Sequence, residues 1–288
     1  MTTIETSKKR ILWLDIARGI CIMCMILSHA FSWCEKTPIL NILSGTWFLV
    51  FFFFCSGLFF SDKKSFKEYI REQAKRLLLP YFVVVFSYLA YRIYNELWIE
   101  YSFSQRLYLA LVSALNALPA DFQYLPFFNA PSIGIGPIWF FVCLFLSTIL
   151  YKCIYKMRYN LILNILLATL ASISQNYITL PFTFQNACIG CMFIALGNHT
   201  KNQIFKFVEF LQSMRFIFVV ILCFVSFNIH VFFLLKIPNM IVNLGGNVYT
   251  MQSIFCSLSG FLFLITLSLV ITRSKIFDVF FHLWAKSL

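Results

Sequence analysis

Eight long apolar runs, separated by polar or basic segments, set the pattern of this chain. They cover residues 11–33, 42–60, 77–98, 135–155, 160–179, 183–198, 214–235 and 252–272. About 20 consecutive apolar residues suffice to cross a bilayer as a helix, so the pattern predicts eight spanning helices. A ninth piece, Ile276 to Leu288, is amphipathic and stops too soon to cross. Between the spans, Ser61 to Arg76 is polar with helical spacing. Ile99 to Gly134 is the longest loop; its SQRLYLALVSALNAL stretch has the helical spacing of an interfacial helix before Pro119, Pro126 and Pro131 break it up.

The distribution of charge gives the runs an orientation. With the N-terminus in the cytoplasm, 18 of the 23 Lys and Arg residues fall in inner segments and three in outer ones, with Arg18 and Arg92 inside spans. Short cytoplasmic loops carry such an excess of basic residues. The net charge of +12 is thus topological, and nucleic acid is not an expected partner. Composition agrees: 60% of residues are hydrophobic and 12% charged, against about 25% charged in a soluble domain. The reading is an all-α, polytopic membrane bundle in one domain, residues 1–288. Lys8, Lys9 and Arg10 before the first run imitate a signal peptide, but the run is too long and lacks a small-residue cleavage site, so it reads as an uncleaved span. Cys21/Cys24 and Cys188/Cys191 have CxxC spacing inside apolar runs, where cysteine serves as a small buried residue; no metal is expected.

The first run, ILWLDIARGICIMCMILSHAFSW, carries Asp15, Arg18 and His29. Ionisable groups within a span are expensive and mark function by default. Arg18 and His29 are 11 residues apart, which on a helix returns nearly to the same face, roughly 16 Å along the axis. Arg18 falls in the inner half of the membrane and His29 near its outer side, so a polar stripe crosses most of the bilayer. Asp15 can pair with Arg18 three residues on. It lies roughly 21 Å from His29, which excludes a compact catalytic triad within this helix.

Other polar positions admit two readings each. Ser56-Gly57 suits close helix packing or backbone approach to a ligand. The basic loop before span three, with Arg71 and Arg76, marks topology and contacts lipid, or forms a phosphate-binding surface. Arg92 snorkels to the outer interface or faces a sugar. Trp139 is a belt residue at the outer interface or part of a site. Gln185, Asn186 and Asn243 are on the outer side and suit a carbohydrate acceptor or ordinary loop chemistry. His230 is expected as polar glue between helices, and His199 as a solvated residue.

These residues together resemble the membrane acyltransferase 3 family, particularly members that O-acetylate sugars. R18-GICIMCMILS-H29 after LDIARG is similar to the family's Arg-x10-His signature. FFFFCSGLFF matches its second motif at Ser56 and Gly57, KRLLLPY its third at Arg76 and Pro80, and IWFFVCLF its tryptophan motif at Trp139. Gln73 stands where members commonly have a second Arg. Members have about ten spans, so the last helices of the family are expected to be absent from residues 1–288.

The resemblance implies acetyl-CoA as cytoplasmic acyl donor and a hydroxyl of an extracytoplasmic glycan or lipid-linked sugar as acceptor, in the plasma or inner membrane. On that reading His29 and Arg18 are catalytic, with Asp15, Ser56, Gly57 and Trp139 in support. Arg76 and Arg71 hold the donor. Arg92, Gln185, Asn186 and Asn243 face the acceptor. A transporter or flippase using the same charged stripe, or an inactive sensor or assembly subunit, is the alternative.

Overall fold

The computed structural model describes residues 10–30, 47–94, 102–117, 123–125, 130–132, 135–175, 177–178, 180–236 and 251–274. Every predicted apolar run forms a helix within these residues. They are α1 (Leu12–Ala30), α2 (Trp47–Leu58), α4 (Leu79–Tyr94), α6 (Trp139–Ile154), α7 (Asn160–Ser174), α8 (Phe184–Ser213), α9 (Phe216–Lys236) and α10 (Met251–Arg273). Two further helices, α3 (Phe66–Gln73) and α5 (Phe103–Asn116), fall where the polar loops show helical spacing. Both start on a serine N-cap closed into a capping box, Ser65 with Glu68 and Ser102 with Gln105. Among the described residues, three helical stretches suffice by length and composition to cross a membrane: Phe66–Tyr91, Phe216–Phe233 and Phe255–Arg273. The architecture is all-α apart from a small antiparallel ribbon, β1 (Gln123–Leu125) and β2 (Ala130–Ser132).

Two boundaries differ from the sequence expectation. Span six was expected to end at residue 198, but α8 continues to Ser213. Its polar second half keeps an apolar stripe, with Val208 and Leu211 buried; a hydropathy window reads the polarity and misses the stripe. Span three was expected to start at residue 77 with Pro80 in its first turn. Instead helix precedes Pro80 without a break, through α3 and a wider turn at Ala74–Leu78, where the Leu79 N–H reaches the Ala74 carbonyl. Proline lacks an N–H and clashes with the carbonyl one turn back. A π turn at that place absorbs the clash and keeps the helix continuous.

The described residues form two compact units, with boundaries between Phe52 and Phe53 and between Lys201 and Asn202. The first holds α1, α9, α10 and the adjoining parts of α2 and α8. Its centre is built around His230 of α9, which is buried. The Trp47 ring meets it edge-on at 4.9 Å between centroids, and Gly260 leaves room where a Cβ would stand 3.0 Å from the imidazole. Ser259 Oγ donates to the Cys256 carbonyl and lies 3.0 Å from His230 Nδ1. The serine oxygen therefore accepts from Nδ1–H, and this bond ties α9 to α10 as expected of polar glue.

The second unit holds the remainder of α2, α3 to α7 and the first part of α8. Here α2 and α8 cross at glycines. A Cβ on Gly57 would lie 2.1 Å from the Ile194 carbonyl oxygen, and one on Gly197 2.2 Å from the Phe54 oxygen. Only residues without a side chain let the two backbones approach this far. Of the two readings of Ser56-Gly57, the structure supports close helix packing for Gly57.

Candidate functional site

The signature helix α1 is unbroken from Leu12 to Ala30, so the helical arithmetic for Arg18 and His29 applies. Trp13, Leu14, Ala17, Cys21 and Cys24 are buried and make one stripe. Arg18 follows Ala17 by about 100°, which puts it at the margin of that stripe, half-buried. Arg18 makes an interaction within the protein. By helical periodicity His29 falls within about 20° of Arg18 around the axis; its side chain lies outside the described residues.

Asp15 was expected to compensate Arg18. Its ion pair in the structure is with Arg10, at 3.5 Å. Both side chains are well exposed, so the pair contributes little to stability.

The remaining expected site residues divide sharply. Gln185 and Asn186 are each 4% exposed, and their amides are used by the chain itself. Gln185 Nε2 donates to Ser174 Oγ (2.9 Å) and to the Ile178 carbonyl (2.8 Å), and its Oε1 accepts from the Leu180 N–H (3.0 Å). Asn186 Oδ1 accepts from Gln175 Nε2 at 2.6 Å. They clamp the turn between α7 and α8. Trp139, 7% exposed, packs inside the second unit rather than standing in a lipid-facing belt. Ser56 is half-buried. Arg71 on α3 and Arg76 in the π turn are exposed. The side chain of Arg92 and all of Asn243 lie outside the described residues. Cys21, Cys24, Cys188 and Cys191 are buried free thiols, and Cys191 Sγ donates to Asn164 Oδ1 at 2.8 Å. His199, expected to be solvated, is exposed and 2.6 Å from Asn160 Oδ1.

A second polar centre was not expected from sequence. Past the Gly57 crossing, α2 delivers Phe60 and Asp62 to the end of α6, whose YKCIYK stretch contributes Tyr151, Lys152, Tyr155 and Lys156. The Lys152 side chain is only 5% exposed. Its ammonium donates to Asp62 Oδ1 at 2.8 Å and stands 5.0–5.5 Å from the ring centres of Phe60, Tyr69 and Tyr155. The Tyr155 hydroxyl donates to the same carboxylate oxygen, and Lys156 is 3.8 Å from its other oxygen. The hydrogen bond from Lys152, with the charges of both lysines, holds the Asp62 carboxyl below the usual range.

Asp62, Lys152, Tyr155 and Lys156 line a cavity of about 400 Å3 with Lys63, Lys64, Ser65 and Phe66. Lys64 is itself paired with Glu72. The one sequence signal for this centre was the i, i+1, i+4, i+5 repeat of Tyr-Lys, which puts both pairs on one side of α6.

The family model described as "Acyltransferase domain", Acyl_transf_3, matches residues 11–286. No curated protein and no solved structure matches the chain.

Proposed function

Because the chain belongs to the membrane acyltransferase 3 family, we propose that it is a multi-pass O-acetyltransferase. It moves an acetyl group from cytoplasmic acetyl-CoA to a hydroxyl of an extracytoplasmic glycan or lipid-linked sugar. The N-terminus is cytoplasmic and the membrane is the plasma or inner membrane. What supports this reading is the uninterrupted helix α1, on which the Arg18–His29 spacing returns nearly to one face, within a chain that carries an acyltransferase domain.

The reaction joins a donor and an acceptor from opposite membrane faces. Arg18 engages the donor along its path through the membrane; a guanidinium offers a planar set of donors that an ammonium lacks. Neutral His29 takes the proton of the attacking hydroxyl as its oxygen bonds to the thioester carbonyl carbon. The C–S bond then breaks, and the imidazolium returns the proton to the departing thiolate. A single general base of this kind accelerates transfer about 10²–10⁴-fold. Arg18→Lys should lose activity while the protein stays in the membrane.

Mass spectrometry of surface glycans from cells with and without the gene tests the assignment. An acetyl increment that requires the gene supports it and identifies the acceptor. Identical glycans together with gene-dependent solute flux would favour the transporter alternative.

A further inference from the structure

We propose that the cavity between the end of α2, the start of α3 and the end of α6 is a phosphate-anion site. On this proposal it takes the phosphorylated nucleotide end of the acyl donor. The inference deepens the function above and rests on its donor assignment. The cavity itself uses none of Arg18, His29 or Arg76.

Charge is the first argument. The lining holds Lys63, Lys64, Lys152 and Lys156 against Asp62, four cations to one anion and hence a net +3. The charges are not equivalent. Lys152 is committed to Asp62 and to its aromatic surround, and Lys64 to Glu72. At the rim, Lys156 is only loosely held by Asp62, at 3.8 Å, with its side chain 73% exposed. Lys63 is exposed and has no carboxylate within ion-pair distance among the described residues. The pair of buried Lys152 and half-exposed Asp62 therefore builds one wall, and the two rim lysines supply the charge for a ligand. Ammonium groups bind phosphate as point charges.

Shape is the second. About 400 Å3 falls within the range of small-molecule sites, about 300–1,000 Å3, and exceeds what one phosphate fills. Phe66, an exposed ring on the lining, gives a base an apolar face. Asp62 on the lining disfavours a singly charged ligand, because its own charge must be outweighed. A nucleotide with a 3′-phosphate and a 5′-diphosphate brings several charges and a base together. A lipid headgroup phosphate shares the chemistry but not the charge density or the base.

The test is titration of adenosine 3′,5′-bisphosphate into the full chain in phosphatidylcholine nanodiscs. The expected result is saturable binding that weakens as salt screens it. The Lys63→Gln/Lys156→Gln double variant should bind at least ~10-fold more weakly, since hydrogen bonds to charged groups are each worth about a tenfold change or more. Lys63→Arg/Lys156→Arg should retain binding, which shows that the glutamine pair has lost charge rather than fold. His29→Ala should bind like wild type. Absence of nucleotide binding overturns the proposal, as does undiminished binding by the glutamine pair. So does a result in which the rim lysines affect only the response to added phosphatidylglycerol, with no nucleotide bound. If the nucleotide binds as described but wild type transfers no acetyl group, the cavity assignment stands and the proposed function falls.

Discussion

The two ends of the second unit use polar residues in opposite ways. Between α7 and α8, Gln185 and Asn186 are buried and their amides serve the turn beside them. Beside α2, α3 and α6, Asp62 and Lys152 satisfy each other but leave Lys63 and Lys156 around an open cavity. In the first arrangement Gln185 makes three hydrogen bonds and the Asn186 carbonyl oxygen one, all within the chain. The second keeps charge available at its rim. Polar residue type and side of the membrane do not mark a site; what remains unused after the chain has satisfied itself does.

The crossing that both ends depend on should be the most sensitive point. Gly57→Ala puts a methyl 2.1 Å from the Ile194 carbonyl oxygen, and overpacking of this kind costs about 3 kcal/mol or more. A detergent thermal melt should show a large loss and cavity binding should fall with it. An unchanged melt would show that the helices do not meet as described.

The closed end comes next. Gln185→Leu leaves the Ile178 carbonyl and the Leu180 N–H without their partner, which costs about 2–3 kcal/mol. Stability should drop while the apparent donor KM of the protein that remains folded stays at its wild-type value. A KM change without a stability change would return Gln185 to a substrate-binding role.

The open end should respond in the reverse sense. Lys63→Gln/Lys156→Gln should raise the donor KM about tenfold with stability within about 0.5 kcal/mol of wild type, as for exposed substitutions generally. Equal losses in both readouts would make the two ends alike and end the contrast.

The smallest effect is in pH. The folded protein holds the Asp62 carboxyl below its ordinary value, first through the hydrogen bond from Lys152. Its stabilising contribution is therefore present above the unfolded value of about 3.9 and is lost as pH falls through the lower folded value. The difference in melting temperature between wild type and Asp62→Asn should persist near neutrality and shrink below about pH 4. A difference that grows on acidification contradicts the sign.

Much of the fold was legible because hydropathy reports directly on what a bilayer selects. All eight apolar runs became helices, and the helix at 103–116 was visible in its spacing. Three things were hidden. The end of α8 was masked by its polar composition, although the stripe through Val208 and Leu211 carried the helix on. The π turn depends on how Pro80 is accommodated, which a hydropathy pattern does not encode. The Asp62–Lys152 pair joins residues 90 apart. By sequence Lys152 is one of the 18 inner-side basic residues, and nothing local shows that its ammonium is enclosed. The signature in α1 was the opposite case: Arg18 and His29 share one helix, so their relation follows from periodicity alone.

The role proposed for His29 is to carry the proton in an acyl transfer. The most direct measurement is transfer of label from radiolabelled acetyl-CoA to glycan in isolated membranes, with wild type and His29→Ala at matched protein levels. The account predicts label on glycan with wild type and a loss of about 10²–10⁴-fold with the variant. Transfer by His29→Ala at the wild-type rate would contradict it.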